Sequence, residues 1–311
     1  MPTSTSATRE ERRGPRFVRL SSADRDLFPP AGITKGDLWD YYLGVAPVLV
    51  PHLRDRPFTM KRYREGIAAD GFFQKQAPSG IPDWIRTRTF RTHPREGGSR
   101  MVDFPLVNDE LALLWMVQMH CIDMNAWYSR VDKPERPDFV LFDLDPPDGG
   151  FPLAVRVARV LLELLDELDL PGYVKTSGAD GIHVLAPVTR RSTFETTRDF
   201  ALDVAALLEQ EHPGLVTTEW LKRKRRGVYF DARQNGPGKT IASVYSVRPR
   251  AGAPVSTPLL REELDEGLDP REFTMQAVLD RVARHGDLYE PVLRDPRPLA
   301  PARKRLSKLR P

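Results

Sequence analysis

The segment FVLFDLDPP (139–147) limits the possible folds of this chain more than any other stretch. Its apolar residues favour a buried strand, which ends at Pro146 and Pro147 because proline cannot donate to a sheet ladder. Asp143 and Asp145 are two residues apart, so a strand projects both carboxylates from one face and Leu144 from the other. The chain must therefore build a sheet in which a buried strand ends in paired negative charges.

Two carboxylates at this spacing need either water or a cation. Their β carbons would lie roughly 6–7 Å apart at about 3.3 Å per residue. In a partly dry site they repel, and one takes up a proton unless a cation lies between them. Paired oxygen ligands suit a divalent metal ion. This segment alone leaves a second reading open, in which both carboxylates are solvated where the strand ends.

Composition favours a globular protein with a phosphate-rich partner. The 311 residues are 40% apolar and 29% charged, and the single cysteine excludes a disulfide framework and fits a reducing cytoplasm. No signal-peptide pattern or bilayer-spanning apolar run is present, which predicts no membrane partner. The net charge is only +4, but Lys and Arg cluster at 221–227 and 294–311. Such clusters attract phosphate-rich partners, although solvated surface also carries them.

Residue patterns predict one central domain between a disordered N-terminal arm and a flexible C-terminal tail. Residues 1–14 are rich in Ser, Thr and Arg without an apolar period, which predicts a disordered arm. Residues 294–311 predict a basic flexible tail. Between them no repeat or long linker occurs, so 15–293 is expected to form one catalytic domain. Its mixed helical and strand patterns predict an α+β (mixed α/β) fold.

Apolar spacing and capping residues locate the main elements. Thr34 is an expected N-cap, and Asn108 or Asp109 is another. Helices are predicted at 34–53, 108–124, 151–170 and 195–212. Strands are predicted at 139–145, on both sides of a turn within 173–188, and on both sides of a glycine-rich turn within 227–249.

Three of these strands end in polar residues. Asp143 and Asp145 end the first, the turn SGADG (177–181) follows the second, and Asp231 ends the third. If adjacent strands bring them together, three carboxylates could hold two metal ions, as two-metal phosphoryl-transfer sites require. The turn SGADG (177–181) would offer backbone N–H groups and a hydroxyl to phosphate oxygens, and His183 a further donor.

The motifs FDLDP, KTSGADGIHV and VYFDARQN, in this order, resemble those of the polymerase domain of bacterial ligase D. That domain is a branch of the archaeo-eukaryotic primase superfamily that is active in end joining. Blocks at 27–42, 56–66, 71–78 and 285–293 also resemble it, so the resemblance covers about 17–293. It implies a primase-like catalytic core with central β-sheets flanked by helices.

The resemblance also implies roles for individual residues. Asp143, Asp145 and Asp231 would bind two divalent metal ions, with Mn²⁺ preferred over Mg²⁺. The DNA-binding residues would be Phe72 and Phe73, stacked on template bases, and Arg25 and Lys35, holding a downstream 5′-phosphate. Without the resemblance, the Phe pair would be read as two core aromatics. The implied nucleotide-binding residues are Lys61, Asn125, Ser177, Gly178, Gly181, His183, Gln234 and Arg248.

The chain departs from the family pattern at three positions. Asp180 stands where a Lys is common, which puts one phosphate contact in doubt. Asn125 stands in place of a His near the nucleotide sugar, or instead caps the 108–124 helix. Arg25 replaces a Lys. The chain also leaves no room for a ligase or nuclease domain, which suggests a stand-alone relative or an excised domain.

The expected activity is template-directed addition of nucleotides, ribonucleotides in preference to deoxyribonucleotides, to a 3′-hydroxyl during DNA repair by non-homologous end joining. The expected partners are DNA with a gap, overhang or 5′-phosphate end, nucleoside triphosphates, a separate ATP-dependent ligase and a Ku-type end-binding protein. The expected location is the bacterial cytoplasm, at the nucleoid. Two alternatives remain: a magnesium-dependent phosphatase with an aspartate nucleophile, and a non-catalytic DNA-end binder. Pro146 and Pro147 argue against the phosphatase.

Overall fold

The computed structural model describes residues 9–92 and 98–309. The strands are β1 Arg9–Arg13, β2 Arg16–Leu20, β3 Asp26–Phe28, β4 Ile33–Thr34, β5 Phe58–Arg62, β6 Phe72–Gln74, β7 Thr87–Thr92, β8 Arg100–Pro105, β9 Cys121–Trp127, β10 Phe139–Asp145, β11 Tyr173–Thr176, β12 Ile182–Pro187, β13 Val216–Thr217, β14 Val228–Phe230, β15 Thr240–Ala242 and β16 Pro258–Leu259. The helices are α1 Lys35–Leu53, α2 Glu110–Gln118, α3 Phe151–Glu167, α4 Phe194–Glu211, α5 Met275–His285, α6 Pro291–Arg294 and α7 Leu299–Leu309. None of these helices has the length and apolar character needed to span a bilayer. The α+β prediction is confirmed.

The chain divides into two compact units, where one catalytic domain was predicted. The first unit contains the residues up to Trp127 together with Thr240–Val255 and Phe273–Gly286. The second contains Tyr128–Lys239, Ser256–Glu272 and the residues from Asp287 onward. No linker marks the division, because Trp127 and Tyr128 are adjacent in sequence. Composition could not reveal such a boundary.

The first unit is built on an antiparallel sheet in the order β15-β9-β5-β6. Helix α1 begins where Thr34 accepts from the N–H of Asp37 and Asp37 reaches back to Thr34, as predicted. The helix packs against α2 and α5, and its Tyr42 hydroxyl donates to the carbonyl of Ile122 in β9 at 2.5 Å. The predicted 108–124 helix is shorter, ending at Gln118, and is capped by Asp109.

The second unit is built on a six-stranded sheet in the order β13-β14-β10-β12-β11-β16. Its strand pairs are antiparallel except the parallel pair β13–β14. One face of β10 carries Phe142, whose ring contacts Phe200 of α4 and Phe230 of β14. Helix α3 packs against the same sheet. The opposite face of β10 carries Asp143 and Asp145, so this sheet separates a helical layer from the carboxylates.

The segment 227–249 forms two strands, as predicted, but they do not pair with each other. β14 pairs with β10 in the second unit, and β15 pairs with β9 in the first. The glycine-rich turn between them therefore crosses from one unit to the other.

The predicted disordered arm is wrong for residues 9–13, which form β1 and pair with β2; residues 1–8 lie outside the described part of the chain. Arg9 binds the Asp40 carboxylate at 2.5 Å, and Arg13 binds that of Glu110 at 2.5 Å. This strand is held by backbone pairing and ion pairs rather than by apolar residues. A search for apolar periodicity therefore does not detect it.

The predicted flexible tail is wrong over Leu299–Leu309, which form α7. Leu299, Ala302 and Leu306 recur at helical spacing and are buried, and α7 contacts α4. Burial of each leucine contributes roughly 1.5–3 kcal/mol. Arg305 also donates to the carbonyl of Leu168 at 2.9 Å. The basic residues of this segment lie on the exposed side of an ordered helix.

Candidate active site

Three carboxylates meet on one face of the six-stranded sheet. Asp143 and Asp145 lie on β10, where Asp143 pairs in register with His183 of β12 and Asp145 with Tyr229 of β14. Asp231 directly follows β14, and its backbone N–H donates to the carbonyl of Asp143 at 2.9 Å. The expected grouping of the three strand ends thus occurs within the second unit.

The electrostatics of the cluster favour a cation. Burial, and then the charges of Asp143 and Asp231, raise the pKa of Asp145 to about 7. Burial and the charge of Asp143 also raise the pKa of Asp231. Each carboxylate therefore raises the free energy of the others in their ionised form, and a positive ion among them would lower it.

The donor chemistry suits a divalent ion, since carboxylate oxygens are the ligands that Mg²⁺ and related ions prefer. Within the described residues, no group of three or more His, Cys, Asp or Glu side chains is arranged as a ready-made metal site. The case for a divalent ion at this cluster therefore rests on the chemistry of the three carboxylates and on their mutual repulsion.

A chain of buried polar groups extends from Asp143. His183 Nε2 lies 3.3 Å from Asp143 Oδ1, and His183 Nδ1 lies 2.7 Å from Lys175 Nζ. Lys175 also donates to the Ser256 hydroxyl at 2.6 Å. A lysine ammonium can only donate, so Nδ1 accepts and the ring proton lies on Nε2, directed at Asp143. Lys175 thus sets the orientation of His183, a role that no sequence motif indicated.

The turn after β11 differs in part from the prediction. Its N–H groups were expected to face phosphate, but those of Ala179 and Gly181 donate to the Ser177 hydroxyl oxygen at 3.1 and 3.0 Å. Ser177 therefore closes its own turn as an ST-type turn. Gly178 has φ +69°, a left-handed conformation that favours glycine.

Gly181 allows the turn to approach β10. A β carbon at this position would lie 2.6 Å from the carbonyl oxygen of Leu144, between the two catalytic candidates on β10. The glycine is therefore required by backbone packing, whether or not it contacts a nucleotide.

Gly181→Ala is expected to lower the free energy of unfolding by about 1–3 kcal/mol, the usual cost of overpacking. The displaced Leu144 would also disturb the neighbouring carboxylates. Thermal unfolding followed by circular dichroism checks this. Gly80→Ala is the matched control, because its added β carbon meets nothing within 4 Å. Equal midpoints for the two variants would contradict the packing role.

The residues after Asp231 tie the third motif to β10. The amide of Asn235 accepts from the N–H of Leu141 at 2.9 Å and donates to the Leu141 carbonyl at 2.7 Å. Its neighbour Gln234, a predicted nucleotide contact, is half-buried in the short 3₁₀ turn Ala232–Gln234. Asp231 is thus held between β14, which pairs with β10 before it, and Asn235, which binds β10 after it.

The first unit holds the remaining predicted nucleotide-binding residues. Lys61 and Arg248 lie near the carboxylate of Asp123, which is 3% exposed and whose pKa is raised by burial and lowered by both cations. Asp123 Oδ1 and the Thr59 hydroxyl have no hydrogen-bond partner among the described residues. Buried polar atoms are normally paired, so this sheet face is suited to a polar ligand or ordered water. Asp123 was not identified from the sequence, because nothing local to it indicates burial.

Asn125 lies within β9, two residues beyond Asp123 on the same face. Its Nδ2 donates to the backbone carbonyl of Asp123 at 3.1 Å. The alternative in which Asn125 caps the preceding helix is wrong, since that helix ends at Gln118.

Phe72 and Phe73 are 41% and 61% exposed, so the core-aromatic alternative is wrong. They are consecutive in β6 and therefore point to opposite faces. The Lys61 ammonium lies 5.3 Å from the Phe73 ring centre, and the Arg62 guanidinium 5.6 Å from that of Phe72. Each ring is thus an exposed aromatic surface beside a cation.

Arg25 and Lys35 are neighbours, because the Lys35 N–H donates to the Arg25 carbonyl at 2.8 Å. The N–H groups of Gly36 and Asp37 are also used, by Ala23 O and Thr34 Oγ1. The N–H groups at the helix N-terminus are therefore occupied within the fold and do not bind a phosphate. Only the two side chains remain for that role.

The Lys35 side chain is fully buried, and its ammonium donates to the Ser21 carbonyl at 3.1 Å and to Gln118 Oε1 at 3.0 Å. Both acceptors are neutral. Burial, and then the charge of Arg25, lower the pKa of Lys35 to about 8. Arg25 itself pairs with Glu65 at 3.0 Å on the surface.

The chain matches one family of known proteins over most of its length. The family model described as LigD, primase-polymerase domain, matches residues 34–289. The chain belongs to this family. The predicted resemblance is therefore confirmed, and the family is one of primase-polymerase enzymes that depend on divalent metal ions.

Two curated relatives and one solved structure show how far the similarity to the LigD primase-polymerase domain extends. The multifunctional non-homologous end joining protein LigD of Mycolicibacterium smegmatis is 34% identical over 281 residues, covering 88% of this chain and 36% of that protein. The bifunctional LigD of Bacillus subtilis is 31% identical over 282 residues, covering 90% and 44%. The polymerase domain of Mycobacterium tuberculosis ligase D, solved in complex with DNA, superposes with a TM-score of 0.83 at 33% identity, covering 90% of this chain and 99% of that one.

The chain thus spans less than half the length of these two LigD proteins and nearly all of the polymerase domain. The archaeo-eukaryotic primase fold is confirmed by the structural match. Membership in the LigD primase-polymerase family favours the polymerase over the phosphatase alternative.

Proposed function

We propose that this protein extends DNA primers as a template-directed nucleotidyltransferase, adding ribonucleotides in preference to deoxyribonucleotides at gaps or broken ends. The observation that carries the proposal is the cluster of Asp143, Asp145 and Asp231 on one sheet face, in a chain of the LigD primase-polymerase family. Phosphoryl transfer needs little covalent chemistry from the protein, so positioning and charge dominate catalysis.

The three carboxylates would hold two divalent ions, Mn²⁺ in preference to Mg²⁺. Such ions lower the pKa of an attacking hydroxyl and neutralise charge on a leaving pyrophosphate. The three aspartate side chains would hold the ions, and Lys175 keeps the His183 proton directed at Asp143. Ser177 would bind triphosphate oxygens, with Gly178 and Gly181 shaping its turn and Gln234 near the nucleotide. His183 would join it by directing its Nε2–H to a phosphate oxygen in place of Asp143.

In the first unit, Lys61 and Arg248 would bind phosphate oxygens, while Asn125 would contact the sugar. The exposed rings of Phe72 and Phe73 would stack on template bases, a sequence-tolerant contact. Arg25 and Lys35 would hold a downstream 5′-phosphate.

The names of the relatives describe end-joining proteins, which supports a place for this chain in the same repair process. Its proposed partners are a separate ATP-dependent ligase and a Ku-type protein. Its proposed location is the nucleoid of the bacterial cytoplasm. Its substrates would be gapped, overhanging or 5′-phosphorylated DNA ends.

The decisive experiment incubates the purified chain with a short-gap DNA, Mn²⁺ or Mg²⁺, and ribo- or deoxyribonucleotides. Template-matched extension with ribonucleotides and Mn²⁺ exceeding the other combinations supports the proposal. Phosphate release without extension, or DNA binding without any reaction in either metal, would overturn it.

Asn125→Ala is expected to reduce the preference for ribonucleotides by weakening their use, by about 1 kcal/mol, the scale of one neutral hydrogen bond. An amide can both donate to and accept from a 2′-hydroxyl. Steady-state extension with paired ribo- and deoxyribonucleotides measures the effect. An equal loss for both substrates, with an unchanged unfolding midpoint, would show that Asn125 does not contact the sugar.

A further inference from the structure

An exposed tryptophan lies beside the carboxylate cluster. The basic loop, residues 218–227, joins β13 to β14, and Asp231 follows β14 directly. Trp220 in this loop is 57% exposed. Its ring lies 5.3 Å from the guanidinium carbon of Arg233, and the Arg233 N–H donates to Asp231 Oδ1. A single residue therefore connects the tryptophan to a predicted metal ligand.

The basic loop is held in a defined shape. Thr218 donates through its N–H and its hydroxyl to the Glu209 carboxylate at 3.0 and 2.7 Å, which anchors the loop to α4. Arg225 donates to the carbonyls of Glu219 and Trp220 and stacks 3.5 Å from the Tyr229 ring centre. Trp220 is thus presented to solvent by a braced backbone, which reduces the entropy lost when a ligand orders it.

The charges around Trp220 match a polyanion. Four cations of the basic loop are exposed, and one of them, Lys222, has an ion pair, with the highly exposed Asp148 at 3.6 Å. Such a surface pair contributes little. The exposed cations are Lys222, Arg223, Lys224 and Arg226. A solvated basic face explains the cations but not a large apolar ring placed among them.

An aromatic ring backed by arginine and flanked by cations is what a nucleic acid strand requires. Bases stack on the ring, and phosphates contact the basic side chains. An acidic peptide would use the cations but would leave the exposed face of the ring without a matching partner. Because Arg233 contacts both the Trp220 ring and Asp231, a strand lying on the loop would reach the carboxylates at one end.

We propose that Trp220 stacks on a base of the strand being extended, near its 3′ end, and that the basic loop binds the phosphates of that strand. This inference rests on the proposed polymerase function and adds a primer-strand contact distinct from the Phe72–Phe73 surface and the Arg25–Lys35 pair.

The first test measures binding by fluorescence anisotropy, using a single strand with normal bases and an abasic strand of equal length. Trp220→Ala should weaken binding of the normal strand about tenfold, within the range measured for base stacking on aromatic residues, and leave the abasic strand unchanged. Trp220→Phe should restore most of the affinity. Leu202→Ala, which also shortens an exposed apolar side chain, should change neither strand.

Lys224→Ala should weaken both strands alike and reduce the salt dependence, because it removes a phosphate contact. If Trp220→Ala weakens both strands alike, or neither, base stacking is excluded and the loop serves only as a polyanion surface.

The second test identifies the strand, using primer–template DNA whose abasic sites lie at the primer 3′ end or in the template. The Trp220→Ala effect should disappear with the abasic primer and persist with the abasic template; the reverse result would overturn the assignment. These assays need no nucleotide addition. Failure of wild-type extension would therefore count against the proposed function alone.

Discussion

Asp143→Asn and Asp145→Asn are each expected to abolish primer extension. DNA binding should stay within a factor of about two of the wild type, because the proposed DNA-binding residues lie outside the carboxylate cluster and effects at separate sites are nearly independent. The expected loss is roughly 1,000-fold or more, corresponding to the several kcal/mol that a bound metal ion supplies to phosphoryl transfer. The variants should fold as well as the wild type. Each removes one charge from a cluster whose members raise one another's pKa. Single-turnover extension and DNA anisotropy measure the two effects.

Asp148→Asn is the matched control, because this carboxylate lies three residues beyond Asp145 and is 97% exposed. It should extend primers at the wild-type rate. Retained extension in either cluster variant would refute the metal assignment. A reduced unfolding midpoint in both would mean that the carboxylates support the fold instead.

Lys35→Met removes the preference for a gap with a 5′-phosphate over one with a 5′-hydroxyl. The expected preference in the wild type is about 10- to 100-fold, the scale of a charge-assisted hydrogen bond to a buried ammonium. Methionine keeps the length of the buried stem without the charge. Lys35 donates to the Ser21 carbonyl and to the Gln118 side chain, and a bound phosphate would have to replace one of these neutral acceptors. The Gln118 side chain can move more easily than the Ser21 backbone.

The preference should also fall as pH rises through about 8, the pKa to which burial and Arg25 bring Lys35. Above that pH the free protein has lost the ammonium proton, whereas bound phosphate favours the charged form. Binding then requires proton uptake and weakens by up to about tenfold per pH unit. His120, also nearby, has a pKa of about 4 because of burial and these cations, so it stays neutral throughout. A constant preference between pH 7 and 9 would exclude Lys35 from the phosphate site.

Elements defined by local chemistry could be predicted from the sequence. The strand ending in Asp143 and Asp145 and the helix capped by Thr34 were located because apolar period, proline and capping residues act within a few positions. The grouping of Asp231 with them needed family resemblance, since strand order is not a local property.

Features that depend on distant partners were missed. β1 is stabilised by ion pairs to Asp40 and Glu110, remote in sequence. Asp123 stands out as a site residue only through its burial near Lys61 and Arg248. Lys175 stands out only through its contact with His183. The sequence likewise does not show that Arg25 O and Ala23 O use the N–H groups at the start of α1.

The amide of Asn235 takes the place of a strand partner for β10. β14 pairs with β10 at Leu144 and Asp145, so the N–H and carbonyl of Leu141 have no strand partner on that side. Both Leu141 and Asn235 are buried, and a buried backbone group left unpaired costs roughly 1–3 kcal/mol. The Asn235 side chain satisfies both groups of Leu141. The residue that fixes the third carboxylate thereby also completes the hydrogen bonding of the strand that carries the other two.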